Sequence, residues 1–191
     1  MTDTTPMKNA EEVVTFLVRQ HNEIKGMFSR VARTQGSERQ ESFDQLRRLL
    51  AIHESAEELI VHPRAKRELS DGDTVIEHLL EEEDEAKHTL ADIEDLDVDS
   101  TEFEVELEKL RQAVLHHAQE EEKDEFARLV AAVDEDTLIR MRRAVELAEA
   151  TAPTHPRPGI GESRAANVLV GPFAAMVDRA RDLISGTDFR S

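Results

Sequence analysis

Along the first two-thirds of the chain, apolar residues recur at steps of three and four, the spacing that lines one face of an α-helix. Turn signals divide the pattern into four stretches. The first opens at Asn9, with Glu12 at capping-box spacing, and stops near Gly36. The second runs from about Ser37 to the late sixties, where Pro63 bends or frays its last turns. "SDGDT" (70–74) is a turn, with Thr74 and Glu77 capping the third helix; the acidic "EDLDVDST" ends it, and Thr101 with Glu104 caps the fourth. Short connections between long helices make neighbours antiparallel. The expected fold is all-α: a flexible N-terminus (1–9), then an antiparallel up-down-up-down four-helix bundle over 10–132.

Additional C-terminal helices follow. Asp136 caps a packing helix over 136–150, with Leu138, Met141, Val145 and Ala148 at helical spacing. Residues 151–171 are a Pro/Gly linker that contains His155. Residues 172–185 form an amphipathic helix expected to dock on its own bundle or to join a homodimer. Its Asp178 and Asp182 offset its two arginines, which weakens a reading as a membrane anchor.

Each bundle stripe is interrupted near its middle. The first reads Val14, Leu17, His21, Ile24, Phe28; the second Leu46, Leu50, His53, Glu57, Ile60. The third reads Ile76, Leu79, Glu83, Ala86, Leu90; the fourth Leu110, Val114, His117, Glu121, after which register is lost towards Phe126 and Leu129. Singly, each interruption has an ordinary explanation: a hydrogen-bonded core histidine at His21, chance His-x-x-x-Glu pairs, a boundary residue at Glu83. Together they do not. Counted from the turns at Gly36 and Gly72, they share one depth of the bundle to within about one helical turn, roughly 3 to 6 Å. The halves also echo one another, each ending in a His followed four residues later by a Glu.

Left unpaired in a core, such carboxylates would each cost on the order of several kcal/mol. Metal ions stabilise all six groups at once. Residues at i and i+4 suit a His that binds one metal while its Glu reaches a second. Imidazole and carboxylate without sulfur point to iron or manganese over copper, with zinc compatible.

Composition narrows the chemistry further. The 191 residues are 39% apolar and 35% charged, within the globular range. A formal charge of −18 repels phosphate backbones and anionic lipid, so neither nucleic acid nor membrane is an expected partner. The absence of Cys removes thiolate zinc sites, iron–sulfur clusters and disulfides, and the absence of Tyr removes a tyrosyl radical. The polar N-terminus does not read as a signal peptide, and no apolar run has the length of a membrane span, so a cytoplasmic location is expected.

The segments "LVRQHNEI" around His21, "HESAEELIVHP" from His53 and "HHAQEEEKDEFARL" from His116 resemble the hemerythrin-like proteins of the HHE cation-binding type, over roughly residues 10–132. The resemblance implies a bundle carrying two non-haem iron ions that reacts with peroxide, oxygen or nitric oxide, or senses oxygen or iron. It places His21, His53, Glu57, His117 and Glu121 at ligand positions. The third helix departs from the pattern: where the family carries His, "LEEEDEAK" offers Glu83, and a further His position is Leu79. His78 and His88 lie on the polar side, so Glu83 completes the expected set, with His78 or Glu82 as alternatives after a local register shift. His62, just before Pro63, reads as an outer hydrogen-bond donor to the site or as a simple polar helix end. His116 points off the stripe and reads as solvated. An added carboxylate favours the ferric state, which suits catalase- or peroxidase-like chemistry better than reversible oxygen carriage. A metal-state sensor without turnover, and a bundle whose polar groups only pair with each other, are the competing readings.

Overall fold

The structure is a computed structural model that describes residues 11–150; the expected linker and C-terminal helix lie outside the described residues, as does Asn9. Helix α1 spans Val13–Arg33. The second rod is α2 (Gly36–Ala56), a π-helical turn π1 (Glu57–Val61) and α3 (His62–Glu68). Helix α4 spans Gly72–Glu94. The fourth rod repeats the plan of the second: α5 (Thr101–Glu120), a π turn π2 (Glu121–Phe126) and α6 (Ala127–Ala132). Helix α7 (Glu135–Glu149) closes one end. The fold is the expected all-α bundle, with α1 against α2, α4 against α5, and α7 across α1, α2 and π1. Among the described residues, no helix is long and apolar enough to cross a membrane.

From α2 onward the helix starts sit slightly upstream of the expected positions. Ser100, one residue before Thr101, accepts the Phe103 N–H, and Asp134, two before Asp136, accepts the Thr137 N–H at 2.9 Å. Glu104 is drawn off instead to Arg39 at 3.2 Å. Helix α4 starts at Gly72 with no side-chain cap; the Thr74 N–H donates to the Asp71 carbonyl. Glu12 caps α1 itself, accepting from the Thr15 N–H at 2.7 Å.

Two contacts hold the α1–α2 and α4–α5 turns together at one end. Gly36, at φ 56°, donates its N–H to Asp99, and the buried Arg39 donates to the Thr34 and Val98 carbonyls. That cross-brace ties the two turns to each other at one end of the bundle.

Pro63 explains the first π turn. An unbroken α-helix would drive its ring into the carbonyl four residues back, and the wider turn just before it removes that clash. The second π turn accounts for the register lost after Glu121.

Apolar side chains form two separate cores. One contains Ile24, Phe28, Phe43, Leu50, Leu90, Phe103, Leu110 and Val114. The other, under α7, contains Leu17, Ile60, Leu79, Phe126, Leu129, Met141 and Val145. The layer between them is polar: His21, His53, Glu57, Glu83, His117 and Glu121 are all buried there.

At the α3–α4 turn a Cβ on Gly72 would lie 2.6 Å from the Lys66 carbonyl oxygen, backbone that cannot step aside cheaply. Gly72→Ala is therefore expected to destabilise the protein by about 1–3 kcal/mol, lowering its calorimetric melting temperature by several degrees. An unchanged melting temperature would show that this turn is not closely packed.

Candidate metal centre

Two carboxylates define the centre. Glu57 and Glu121 are each the first residue of a π turn, and neither has any exposed surface. His53 Nε2 lies 3.2 Å from Glu57 Oε2, and His21 Nε2 lies 4.0 Å from Glu57 Oε1 and 3.3 Å from Glu121 Oε2. On the other side, Glu121 Oε1 faces His117 Nε2 at 3.4 Å and His62 Nε2 at 3.9 Å. The four imidazoles are each no more than 6% exposed.

Every one of these rings turns Nδ1 outward onto a partner. His21 meets Glu122 at 2.9 Å, His53 meets Gln20 Oε1 at 3.0 Å, His62 meets Glu125 at 3.0 Å and His117 meets Glu82 at 3.3 Å. An outer acceptor on Nδ1 fixes the tautomer with its lone pair on Nε2, the arrangement that orients imidazole toward a metal. At His53 the fixing comes from far along the chain: Gln20 Nε2 donates to Glu149 of α7 at 2.6 Å, so its amide oxygen must face the imidazole.

Inside, the polar atoms are unmatched. The Nε2 atoms of His21, His62 and His117, and both oxygens of Glu57 and of Glu121, are buried without a hydrogen-bond partner. Among the described residues, two donor sets have one atom from each member within 4.8 Å: His21, His53, Glu57 and Glu121, then His62, Glu121 and Glu125. Imidazole nitrogens and carboxylate oxygens converging without hydrogen bonds to one another are a donor set that fits a cation.

The titration pattern follows from the same burial. Burial and the His21 ring push His53 down to about 3, leaving it neutral with a free lone pair. Burial and the Glu121 charge raise Glu57 well above the carboxylate range. Burial also opposes charge on Glu121, but His117 and His21 outweigh it and hold the carboxyl well below its ordinary value. His21, His62 and His117 likewise rise against burial, drawn up chiefly by Glu121 at His21 and His117 and by Glu125 at His62.

Of the six residues expected from the stripes, the structure brings His21, His53, Glu57, His117 and Glu121 together. Glu83 is buried at the same level but turned elsewhere: Lys87 Nζ stands 2.7 Å from its Oε1, an ion pair without hydrogen-bond geometry, and also donates to Glu58 at 2.6 Å. Burial opposes the Lys87 charge, yet Glu83 and Glu58 hold it well above its ordinary value. His78 is exposed and lies 3.6 Å from Glu82, which serves His117 from outside. Gln20, Glu54, Glu122 and Glu125 complete the surroundings, and sequence reasoning missed them. Glu125 had a signal, being one further step of four past Glu121. Gln20 had none, because its role needs Glu149 from the far end of the fold.

A small cavity opens beside the imidazoles, with His21, His53, Glu54, His117 and Glu121 on its polar side and Ile24, Val114, Leu115 and Ala118 on its apolar side.

The family described as the hemerythrin HHE cation-binding domain matches residues 12–129. An uncharacterised hemerythrin-like protein of Schizosaccharomyces pombe is 26% identical over 71% of this chain and 67% of its own length. A DNA nickase of Nostoc is 30% identical over 56% of this chain, but the shared stretch is only 30% of that protein. No solved structure matches the chain.

Metal binding must displace protons from the raised His21, His117 and Glu57, since each donates a lone pair only when deprotonated. Affinity for manganese(II) is expected to fall on acidification from about pH 8 to about pH 6, approaching about tenfold per unit for each proton displaced. Calorimetric titration in buffers of different ionisation enthalpy reads the protons directly. An affinity flat across that range would mean the donors are already deprotonated.

Proposed function

The chain belongs to the hemerythrin HHE cation-binding family, and on that premise we propose that it is a cytoplasmic non-haem di-iron protein that reacts with a small oxidant, peroxide foremost, with oxygen and nitric oxide as related ligands. The observation that carries the reading is the convergence of orphaned imidazole nitrogens and carboxylate oxygens between two apolar cores. His21, His53, Glu57, His117 and Glu121 would hold the ions; Glu83, engaged by Lys87, is left out of this set. Manganese or zinc would suit the same donors. Two bound iron ions would supply the two electrons that peroxide takes on reduction.

The chain's own residues would do the rest. Glu57 and Glu121 neutralise the cations in a water-poor layer, and Glu82, Glu122 and Gln20 hold the imidazoles in the ligating tautomer. Ile24, Val114 and Ala118 limit the cavity to a molecule of a few atoms. Glu54 faces this cavity with a buried, unpartnered Oε2, 3.8 Å from His117 Nε2. It is placed to deliver the proton that a leaving oxygen requires when the peroxide bond breaks. With Glu83 held by Lys87, the added carboxylate expected to favour the ferric state is not among these ligands.

A sensor without turnover is the second reading, favoured by the His53–Gln20–Glu149 chain, which ties a ligand to the last described helix. The nickase activity of the Nostoc relative is not carried over, because the shared stretch is a minor part of that protein and the charge of −18 opposes a phosphate backbone.

The test is elemental analysis of protein expressed with iron and manganese both available, followed by peroxide assay. The expectation is about two iron per chain, turnover of peroxide, and loss of both in His117→Ala. Glu54→Gln should keep the metal and lower turnover by about 10²-fold or more. Metal-loaded protein that leaves peroxide untouched would favour the sensor. Protein that takes up no metal would overturn both readings.

A further inference from the structure

Within the di-metal reading, five ligands leave the second ion short of donors, since Glu83 is withdrawn. The Lys87 ammonium stands 2.7 Å from its Oε1, and a cation there would meet that fixed positive charge at contact distance. A different donor, His62, faces Glu121.

His62 is 2% exposed, and its Nε2 is buried, without a hydrogen-bond partner, and directed at Glu121 Oε1 from 3.9 Å. Its Nδ1 lies 3.0 Å from both oxygens of Glu125, a carboxylate with no exposed surface. This repeats the pattern of His21, His53 and His117: outer partner on Nδ1, lone pair inward on Nε2. A plain His62–Glu125 ion pair does not account for it. An imidazolium would bury an Nε2–H with no acceptor in reach, and 3.9 Å is too long for a hydrogen bond to Glu121.

The backbone explains how His62 comes to face the site. Five residues past Glu57, it would lie about 140° round an unbroken α-helix. The π turn from Glu57 to Val61 stacks residues five apart nearly one above the other, bringing His62 to the Glu57 face.

We propose that His62 is a fourth imidazole ligand of the centre, binding the second ion together with Glu121, with Glu125 as the positioning carboxylate behind it. In this chain the donor missing from α4 is replaced from the start of α3, and Lys87 closes the α4 side.

Metal per chain, measured after anaerobic loading with iron(II) and separately with manganese(II), tests this without reference to activity. Wild-type protein is expected to hold two ions, His62→Ala one, and Glu83→Gln two. In Glu125→Gln the weaker site should lose affinity about 10- to 100-fold while the tighter one is unchanged. Two ions retained in His62→Ala, or one lost in Glu83→Gln, would overturn the assignment and leave the di-metal reading standing. Wild-type protein that binds one ion or none would overturn the di-metal reading itself, and this ligand with it. Should His62→Ala fail to fold, Glu125→Gln carries the test, because it keeps a hydrogen-bonding group of the same size. An unchanged weaker site in that variant overturns the proposal.

Discussion

Glu57 and Glu121 are carboxylates buried between two apolar cores, and the rest of the molecule is arranged around that constraint. Buried acid of this kind is unstable on its own. Imidazoles approach it from three of the helical rods, and each imidazole is steadied from behind by an acceptor on its Nδ1. The result is a layered electrostatic structure: anionic centre, ring of histidines, outer ring of carboxylates and one amide. The cores above and below contribute rigidity; they contribute no donors.

Much of this was legible in the chain. Helix count, antiparallel order and the polar interruption of each stripe follow from periodicity alone, because a three-and-four pattern broken at one depth has few structural solutions. Helix starts were less legible. Ser100 against Thr101, and Asp134 against Asp136, are competing caps of equal chemistry, and only the packing of the preceding turn chooses between them. The π turns were legible only as a fault, the loss of register after Glu121, and without them His62 falls on the wrong side of its helix. Glu83 is the opposite case. Its place in the stripe makes it buried, and Lys87 one turn later forms an i,i+4 ion pair with it that the apolar periodicity does not reveal.

The fifth helix is bound into the site more closely than its position in the chain suggests. Helix α7 buries Met141, Ala144 and Val145 in the core that contains Leu17 and Ile60, and its Glu149 sets the amide of Gln20, which in turn sets His53. Packing and ligand orientation therefore share one element. A displacement of α7 would disturb the tautomer of a ring it never touches.

The two π turns begin at equivalent glutamates in the two halves, so the bundle carries an approximate twofold relation that passes through the centre. The fifth residue after each glutamate is then the same place seen twice, and it is His62 in one half but Phe126 in the other. Phe126 stacks on His21 at 5.7 Å between ring centroids and donates nothing. The twofold is broken at that pair of positions. The centre acquires a donor-rich pole and an oily one, so its two sides are chemically distinct.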